Sequence, residues 1–555
     1  MRFLFRCVGL AFVALAAWTP TAFASDSPDL EVVHRIRQEA FKRSQVMDHL
    51  FHMTEVAGPR LTNSPGYDMA AEKIAETAKS WGLENVQLEP WGPFGRGWST
   101  SHFSAHLVAP QYSSLIGAPL TWTPGTDGVV SGTPLLIELP RRGETFEDRQ
   151  AQFEDFKKTW KGKLKGKILL LGTPRHLELQ TQPPSKRFSS SELAERTKAR
   201  DPVESIEIDY DNPQIPLNEY DERRFWHHAP SWLRWQLRQR DRELRQEMHR
   251  FLSEQKVALV VSPPRRGDGG TFFPSRGGQH EVDAPVPPPT ITLTAEHYNR
   301  IARLLRKGYE PRIEVEVRAQ FHEGIPTNVV AEIPGTSKKE ELVLIGAHLD
   351  DVAYSTGATD NAASCAVMME VMRILETLDL EMDRTVRMVL WSGEEQGLLG
   401  SRAYVLEHFA DYETMERRPD HGKISAYYNL DNGAGKIRGI YLQENDRVRP
   451  IFSSWFGPFR DLDASTVSLR NTGGTDHLPF DAVGIPAFQF IQDPLEYRSR
   501  THHSNMDVYD RVVAADLMQA SAIIASIVYH TANREDLLPR KPLPEPVPEH
   551  ARTGQ

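Results

Sequence analysis

Hydrophobic positions along the chain fall into two regimes. From about residue 325 to 535, short apolar runs alternate with longer amphipathic stretches. TNVVAEIPG, ELVLIGAHLD (341–350), TVRMVLWS (385–392), ISAYYNLD (424–431), GIYLQE (439–444) and IPAFQFIQD (485–493) read as strands. The stretches 361–378, 398–408 and 512–532 read as helices between and after them. Strands alternating with helices predict an α/β fold, a mostly parallel twisted sheet with helices on both faces. Upstream, 29–54 is amphipathic and helical, GPRLTNSPGY (58–67) is turn-rich, and an alanine-rich helix over 69–81 stops at Gly82. A glycine just past the last helical turn is a common stop. NVQLEPW (85–91) reads as a further strand.

Residues 105–318 behave differently. Short strands such as KGKILLLG (165–172) and KVALVVSP (256–263) are separated by long polar loops. WLRWQLRQRDRELRQEMHRFL (232–252) carries charge pairs at helical spacing. Trp226, Trp232 and Trp235 either line a substrate surface or pack the insert's own small core, and packing is the more ordinary role. PRRGDGGTFFPSRGG (264–278) and PVPPP (285–289) are breakers. The expected division is a leader 1–24, the first part of the main domain 25–104, an inserted cap 105–318, the core 319–535 and a disordered Pro-rich tail 536–555.

Residues 1–24 have Arg2 and Arg6 in front, an apolar run too short for a comfortable membrane span, and Ala22-Phe23-Ala24 at the end. That is the pattern of a cleavable secretory signal. The expectation is a secreted or periplasmic protein with no membrane span after signal removal. The formal charge of −10 argues against a nucleic-acid partner. The two cysteines are Cys7, inside the leader, and Cys365, so no internal disulfide or thiolate metal cluster is expected. Any metal must use His, Asp and Glu.

Ligands of open α/β sheets bind beyond the carboxyl ends of the strands. There the sequence places His348 and Asp350, then Asp360 in GATDNAAS, Glu394 and Glu395 in GEEQGLLGS, Asp431 in NLDNGAG and His503 in HHSNMDVYD. Singly, each has an ordinary structural explanation: a helix cap for Asp360, helix-start carboxylates for the glutamates, a core histidine or a surface one. Together they put two histidines and several carboxylates at one sheet edge, a charge density that is costly without a cation. His and carboxylate ligands without thiolate suit catalytic zinc, with manganese or cobalt as weaker options. The set is large enough for two metals bridged by one aspartate, as in hydrolases. One of Glu394 and Glu395 would bind metal and the other would handle protons.

AHLD (347–350), GATDNAAS (357–364), WSGEEQGLLGS (391–401), NLD (429–431), GGTDHLPFDAVGIPA (473–487) and HHSNMD (502–507) resemble the motifs of the co-catalytic zinc aminopeptidases. The spacing, 12 positions from His348 to Asp360 and 34 from Asp360 to Glu394, fits as well. Within that family the carboxypeptidase Q branch is the most similar. The resemblance implies a zinc exopeptidase fold with a protease-associated-like cap, and two Zn2+ ions. It implies that His348 and Asp431 bind one metal, Glu395 and His503 the other, that Asp360 bridges them, and that Glu394 is the general base. Asp350 would orient His348, while His502, Asp476 and His477 would line the substrate pocket. The implied reaction is hydrolysis of short peptides or dipeptides by a water held between the metals. Aminopeptidases of the family often carry Tyr just before the metal-binding His; here His502 stands there, which leaves the donor to the scissile carbonyl unassigned. A glutaminyl cyclase and a receptor-like binding protein are the alternatives on the same fold, and a homodimer is left open.

Overall fold

A computed structural model describes residues 26–138, 145–199, 207–209, 213–216, 221, 225–226, 229, 231–275, 277–547 and 552. The expected leader 1–24 lies outside the described residues.

An eight-stranded sheet organises the fold. In spatial order its strands are Glu84–Pro90, Thr327–Ile333, Arg384–Trp391, Lys338–His348, Ile424–Asn429, Ala487–Gln492, Ile437–Tyr441 and Thr466–Ser468. The middle of the sheet is parallel, from Arg384–Trp391 across to Ala487–Gln492. The flanks are mixed: Glu84–Pro90, Thr327–Ile333 and Ile437–Tyr441 each make antiparallel pairings. The expectation of a mostly parallel sheet therefore describes its centre. Periodicity marks strands, and it carries no information on the direction of an edge strand.

Both faces are covered, which is why the central strands read as unbroken apolar runs. Along Lys338–His348, Val343, Ile345 and Ala347 enter one core, together with helices Leu30–Lys42, Ala363–Thr377 and Ala514–Asn533. Leu342 and Leu344 enter the other, with Tyr404, Phe409 and Phe480. The chain leaves Lys338–His348 through Ala363–Thr377 on the first face, reaches Arg384–Trp391, and returns through Leu399–His408 on the second face. The carboxyl end of Lys338–His348 is thus a topological switch point, where crossovers diverge and leave a crevice.

The helix expected at 69–81 starts earlier, at Pro65: Ser64 caps it by accepting from the Tyr67 N–H, and Pro65 occupies the first turn. The intervening segment forms two more sheets. One is four-stranded and antiparallel, with Gly97–Ala109 paired along Arg312–His322. The other is five-stranded, with Leu135–Ile137, Ile168–Leu171, Leu259–Ser262 and Thr290–Leu293 in parallel. The expected boundaries at 104/105 and 318/319 fall inside the paired strands Gly97–Ala109 and Arg312–His322. The polar outer faces of those strands hide them from a hydrophobicity reading. Helix Ser231–Glu254 contains the expected 232–252. Trp226 packs edge-on against Phe225 in a small apolar cluster, and the side chains of Trp232 and Trp235 lie outside the described residues.

The tail also departs from expectation. Leu538 is buried, Arg540 donates to the Ile424 carbonyl at 2.5 Å, and Lys541 pairs with Asp481 at 2.5 Å. Residues up to 547 lie against the main sheet's body, with the Val547 N–H on the Glu413 carbonyl. A Pro-rich composition excludes helix and ladder, yet it permits an extended strap held by side chains.

Candidate metal centre

At the switch point the structure gathers six residues from five chain segments. His348 ends its strand with its side chain almost fully buried, and its Nδ1–H donates to the Asp350 carbonyl at 2.9 Å. That bond aims Nε2 into the crevice. Nε2 lies 3.3 Å from Asp360 Oδ1, 3.5 Å from Asp431 Oδ1 and 3.9 Å from Glu394 Oε2. His503 Nε2 lies 2.9 Å from Glu395 Oε2 and 3.2 Å from Asp360 Oδ2. Asp360 therefore turns one carboxylate oxygen toward each histidine.

None of the ordinary roles is what these side chains perform. Asp360 precedes helix Ala363–Thr377, but the N-cap of that helix is Ala362 and no side chain caps it. Glu394 and Glu395 precede helix Leu399–His408 in a separate turn, closed by the Gly397 N–H on the Glu394 carbonyl. Asp360 Oδ2, Glu395 Oε1 and Asp431 Oδ1 are buried and have no hydrogen-bond partner among the described residues. Buried carboxylate oxygens are normally hydrogen-bonded, and orphaned ones point to a missing cation. The donors of His348, Asp360 and Asp431 lie within 4.8 Å of one another, as do those of Asp360, His502 and His503 and those of His348, Glu394 and Glu395. Hard and borderline donors in such a set suit Zn2+, so the residues present fit the metals the sequence suggested.

Electrostatics agree. Burial pushes the Glu395 carboxyl up to about 7, with Asp360 adding to the rise and His503 opposing it. Burial raises Glu394 well above the carboxylate range, and Asp431, Asp476 and Glu395 add to it against His348. Burial alone would depress His348, but the charges of Asp431 and Glu394 hold it well above its ordinary value. Burial would likewise depress His503, yet Glu395 and Asp360 lift it to about 10. Protons are drawn to the cluster wherever a cation is not, which is the signature of crowded anions in a low dielectric.

Three supports were not assigned from sequence. Thr62 Oγ1 donates to Asp350 Oδ2 at 3.0 Å and accepts from the Gly393 N–H at 2.8 Å. The same Asp350 carboxylate accepts from the N–H groups of Glu394 (3.2 Å) and Glu395 (3.3 Å). Asp350 thus holds the Glu394–Glu395 turn; its carboxylate is 3.7 Å from His348 Nδ1, which its own carbonyl engages instead. Arg60, fully buried, donates to the carbonyls of Leu349 (2.8 Å), Thr356 (2.7 Å) and Gly357 (3.0 Å). It clamps both ends of the loop between His348 and Asp360. Asp507 accepts from the N–H groups of Thr359 (2.6 Å) and Asp360 (3.0 Å), fixing the Asp360 backbone from the His503 side. The GPRLTN motif held Thr62 and Arg60 in view, but a turn sequence does not say what it touches 288 or 289 positions away.

His502 lies at the edge of the cluster, 3.8 Å from Asp360 Oδ2 and stacked on His503 with ring centroids 3.9 Å apart. Asp476 is buried, and Ser401 Oγ donates to it at 2.5 Å. His477 is also buried, its Nε2–H on the Thr472 carbonyl at 3.1 Å. The inserted segment reaches the His503 loop directly. The Phe272 N–H donates to Asn505 Oδ1 at 2.8 Å, Asn505 Nδ2 to the Gly270 carbonyl at 3.1 Å, and an Arg266 N–H to the Arg498 carbonyl at 2.6 Å.

The fold is that of a metallo-exopeptidase. Residues 328–528 match the model of peptidase family M28. It is similar to carboxypeptidase Q of Bos taurus, 23% identical over 501 residues that cover 89% of this chain and 86% of the relative. Among solved structures, a peptidase M28 precursor from Shewanella amazonensis SB2B superposes with a TM-score of 0.61 at 21% identity, covering 93% of this chain and 98% of that one. A zinc aminopeptidase from Bacillus subtilis has a TM-score of 0.50 at 16% identity, covering 88% and 95%.

Proposed function

We propose that this protein is a secreted two-zinc exopeptidase acting on short peptides or dipeptides. The observation that carries the reading is Asp360, whose Oδ1 lies 3.3 Å from His348 Nε2 and whose Oδ2 lies 3.2 Å from His503 Nε2. A carboxylate shared in this way between two histidine-containing sets is what a bridging ligand requires. His348 and Asp431 would hold one ion, Glu395 and His503 the other. The zinc aminopeptidase among the structural neighbours and the thiolate-free donor set favour zinc.

The bound ions would supply Lewis acidity toward the scissile carbonyl and toward water. The rest falls to the chain. Glu394, raised in proton affinity by its burial, takes a proton from the attacking water and returns it to the leaving amine nitrogen. Asp350 keeps Glu394 and Glu395 in place through their backbone N–H groups. Arg60 and Asp507 hold the Asp360 loop from opposite sides. The inserted segment, proposed as a cap, packs through Gly270, Phe272 and Arg266 onto the loop that bears His503, which favours short substrates over folded chains. No helix among the described residues is long and apolar enough to cross a membrane.

Metal analysis of the purified protein tests the reading. Two equivalents of zinc per chain are expected for wild type and one or fewer for Asp360→Ala. A single equivalent in wild type would overturn the two-metal arrangement and favour the cyclase alternative.

A further inference from the structure

Of the six residues gathered at the switch point, His503 alone has a positive φ, +63°. The left-handed region is unfavourable for a residue with a Cβ, and such a conformation persists only where the surroundings fix it. The loop that carries His503 leaves strand Ala487–Gln492 at Asp493 and turns back on itself repeatedly. The Tyr497 N–H donates to the Pro494 carbonyl at 2.8 Å, the Arg500 N–H to Glu496 at 2.8 Å, the His502 N–H to Tyr497 at 2.8 Å and the Ser504 N–H to Thr501 at 3.0 Å. A series of linked turns passes a displacement of its base on to its tip.

The base is gripped by a stretch of the inserted segment distinct from the 266–272 contacts. The Lys186 N–H donates to the Leu495 carbonyl at 2.9 Å, and Ser499 Oγ donates to the Pro184 carbonyl at 2.6 Å. The Phe188 N–H donates to Asp493 Oδ1 at 2.9 Å. Between these contacts Arg187 reaches in from the surface. Its Nη1 lies 3.0 Å from Asp493 Oδ2 and 2.8 Å from Asp516 Oδ2. Both carboxylates are buried. Asp493 has a second cation in Arg438, at 2.9 Å, whereas Asp516 has no other ion pair among the described residues. Asp493 precedes the His503 loop, and Asp516 follows it, in the first turn of helix Ala514–Asn533. One guanidinium thus ties together the two ends of the segment that bears His503.

We propose that Arg187, a residue of the inserted segment, is a positioning residue for the metal ion on the His503 side. By drawing Asp493 and Asp516 to one point it closes the segment between them and holds His503 where Glu395 and Asp360 meet it, at 2.9 and 3.2 Å. Without the guanidinium, Asp516 is a buried carboxylate with no cation, and it turns toward water or takes a proton; either opens the segment. The His348–Asp431 side is built from other strand ends and does not pass through Arg187. This rests on the two-zinc reading, and it makes the inserted segment part of the metal centre as well as a cover over it.

The test is zinc binding to the full chain, titrated against a chromogenic chelator, for wild type, Arg187→Met, Arg187→Lys, His503→Ala and Arg187→Met combined with His503→Ala. Arg187→Met is expected to weaken one of the two ions about tenfold, the lower end of what removing the outer partners of metal ligands does, and to leave the other unchanged. Arg187→Lys keeps the charge and should recover part of the loss. His503→Ala identifies the ion by losing it, and adding Arg187→Met should then leave the remaining ion unchanged. Equal weakening of both ions in Arg187→Met, or weakening of the remaining ion in the combined variant, would overturn the proposal, because a general loss of structure acts on both. Two unchanged affinities would overturn it as well. Should Arg187→Met fail to fold, Ser499→Ala decides: it removes only the bond to Pro184, and a loss confined to the same ion supports the proposal, while no loss or an equal loss overturns it. A wild type that binds a single ion would refute the two-zinc reading, and the proposal with it.

Discussion

Thr62→Val is the most informative single perturbation of the supporting structure. Valine matches threonine in shape, so the fully buried site around residue 62 keeps its packing. Two hydrogen bonds are lost: the one to Asp350 Oδ2 at 3.0 Å and the one from the Gly393 N–H at 2.8 Å. Asp350 retains the N–H groups of Glu394 and Glu395, so its charge stays partly solvated by the protein. A buried N–H left without an acceptor costs about 1–3 kcal/mol, and a hydrogen bond to a charged group is worth about 1.5–3 kcal/mol. The expected total is roughly 2.5–6 kcal/mol, concentrated in the Gly393–Glu395 turn. Since that turn positions Glu394, kcat should fall about 10–100-fold, as it does when the outer partners of metal ligands are removed. Urea unfolding and dipeptide hydrolysis, measured on Thr62→Val and on Thr62→Ser, separate the two effects. Serine keeps the hydroxyl and should stay near wild type in kcat. A valine variant within 0.5 kcal/mol and twofold of wild type in kcat (both about the usual scatter of surface substitutions) would refute the role given to Thr62 and to the Asp350 network.

Further outcomes follow from the same structure. Arg60→Lys keeps the charge but can serve fewer of the carbonyls of Leu349, Thr356 and Gly357, so zinc affinity should fall about 10–100-fold, read by competition with a chromogenic chelator. Glu39 and Glu370 flank Arg373, with contacts of 2.9 and 2.8 Å. Burial would raise both carboxyls, but Arg373, aided by Arg43 at Glu39 and His49 at Glu370, holds them below the ordinary value of 4.5. Their folded values lie below the unfolded ones, so the stabilisation is complete above the unfolded range and is lost as pH falls through the folded values. Thermal melts should therefore drop steeply below about pH 4.5, and Arg373→Met should destabilise by about 3–5 kcal/mol at neutral pH by leaving buried Glu370 with only His49 and Glu39 with only Arg43. Chelation of the metal should abolish hydrolysis and lower the melting temperature, because cations bound only by the folded state stabilise it. An unchanged melt would contradict the carboxylate crowding described above.

The strand-end logic made most of the centre legible in the sequence. His348, Asp360, Glu394, Glu395, Asp431 and His503 each follow a recognisable apolar strand, and the fold brings strand ends together by necessity. What stayed hidden depended on contacts rather than on pattern. Thr62 and Arg60 lie in a polar turn with no periodicity, and their partners are remote in the chain. The strands Gly97–Ala109 and Arg312–His322 carry polar residues on one face, so their pairing was invisible to a search for apolar runs. Asp350 was expected to orient His348; its main-chain carbonyl accepts from His348 Nδ1–H, and its carboxylate also accepts from Thr62 and from the N–H groups of Glu394 and Glu395, partners that only geometry reveals.

The central claim, a two-zinc site in which Glu394 moves the proton, is tested most directly by amino-acid release from a pool of unblocked dipeptides. The zinc-loaded protein would be assayed beside Glu394→Gln loaded with the same metal. Release by the wild type, and its near abolition in Glu394→Gln at equal zinc content, is the result the account predicts. Equal release by both proteins would remove Glu394 from the chemistry, and no release by either with metal bound would contradict the exopeptidase reading.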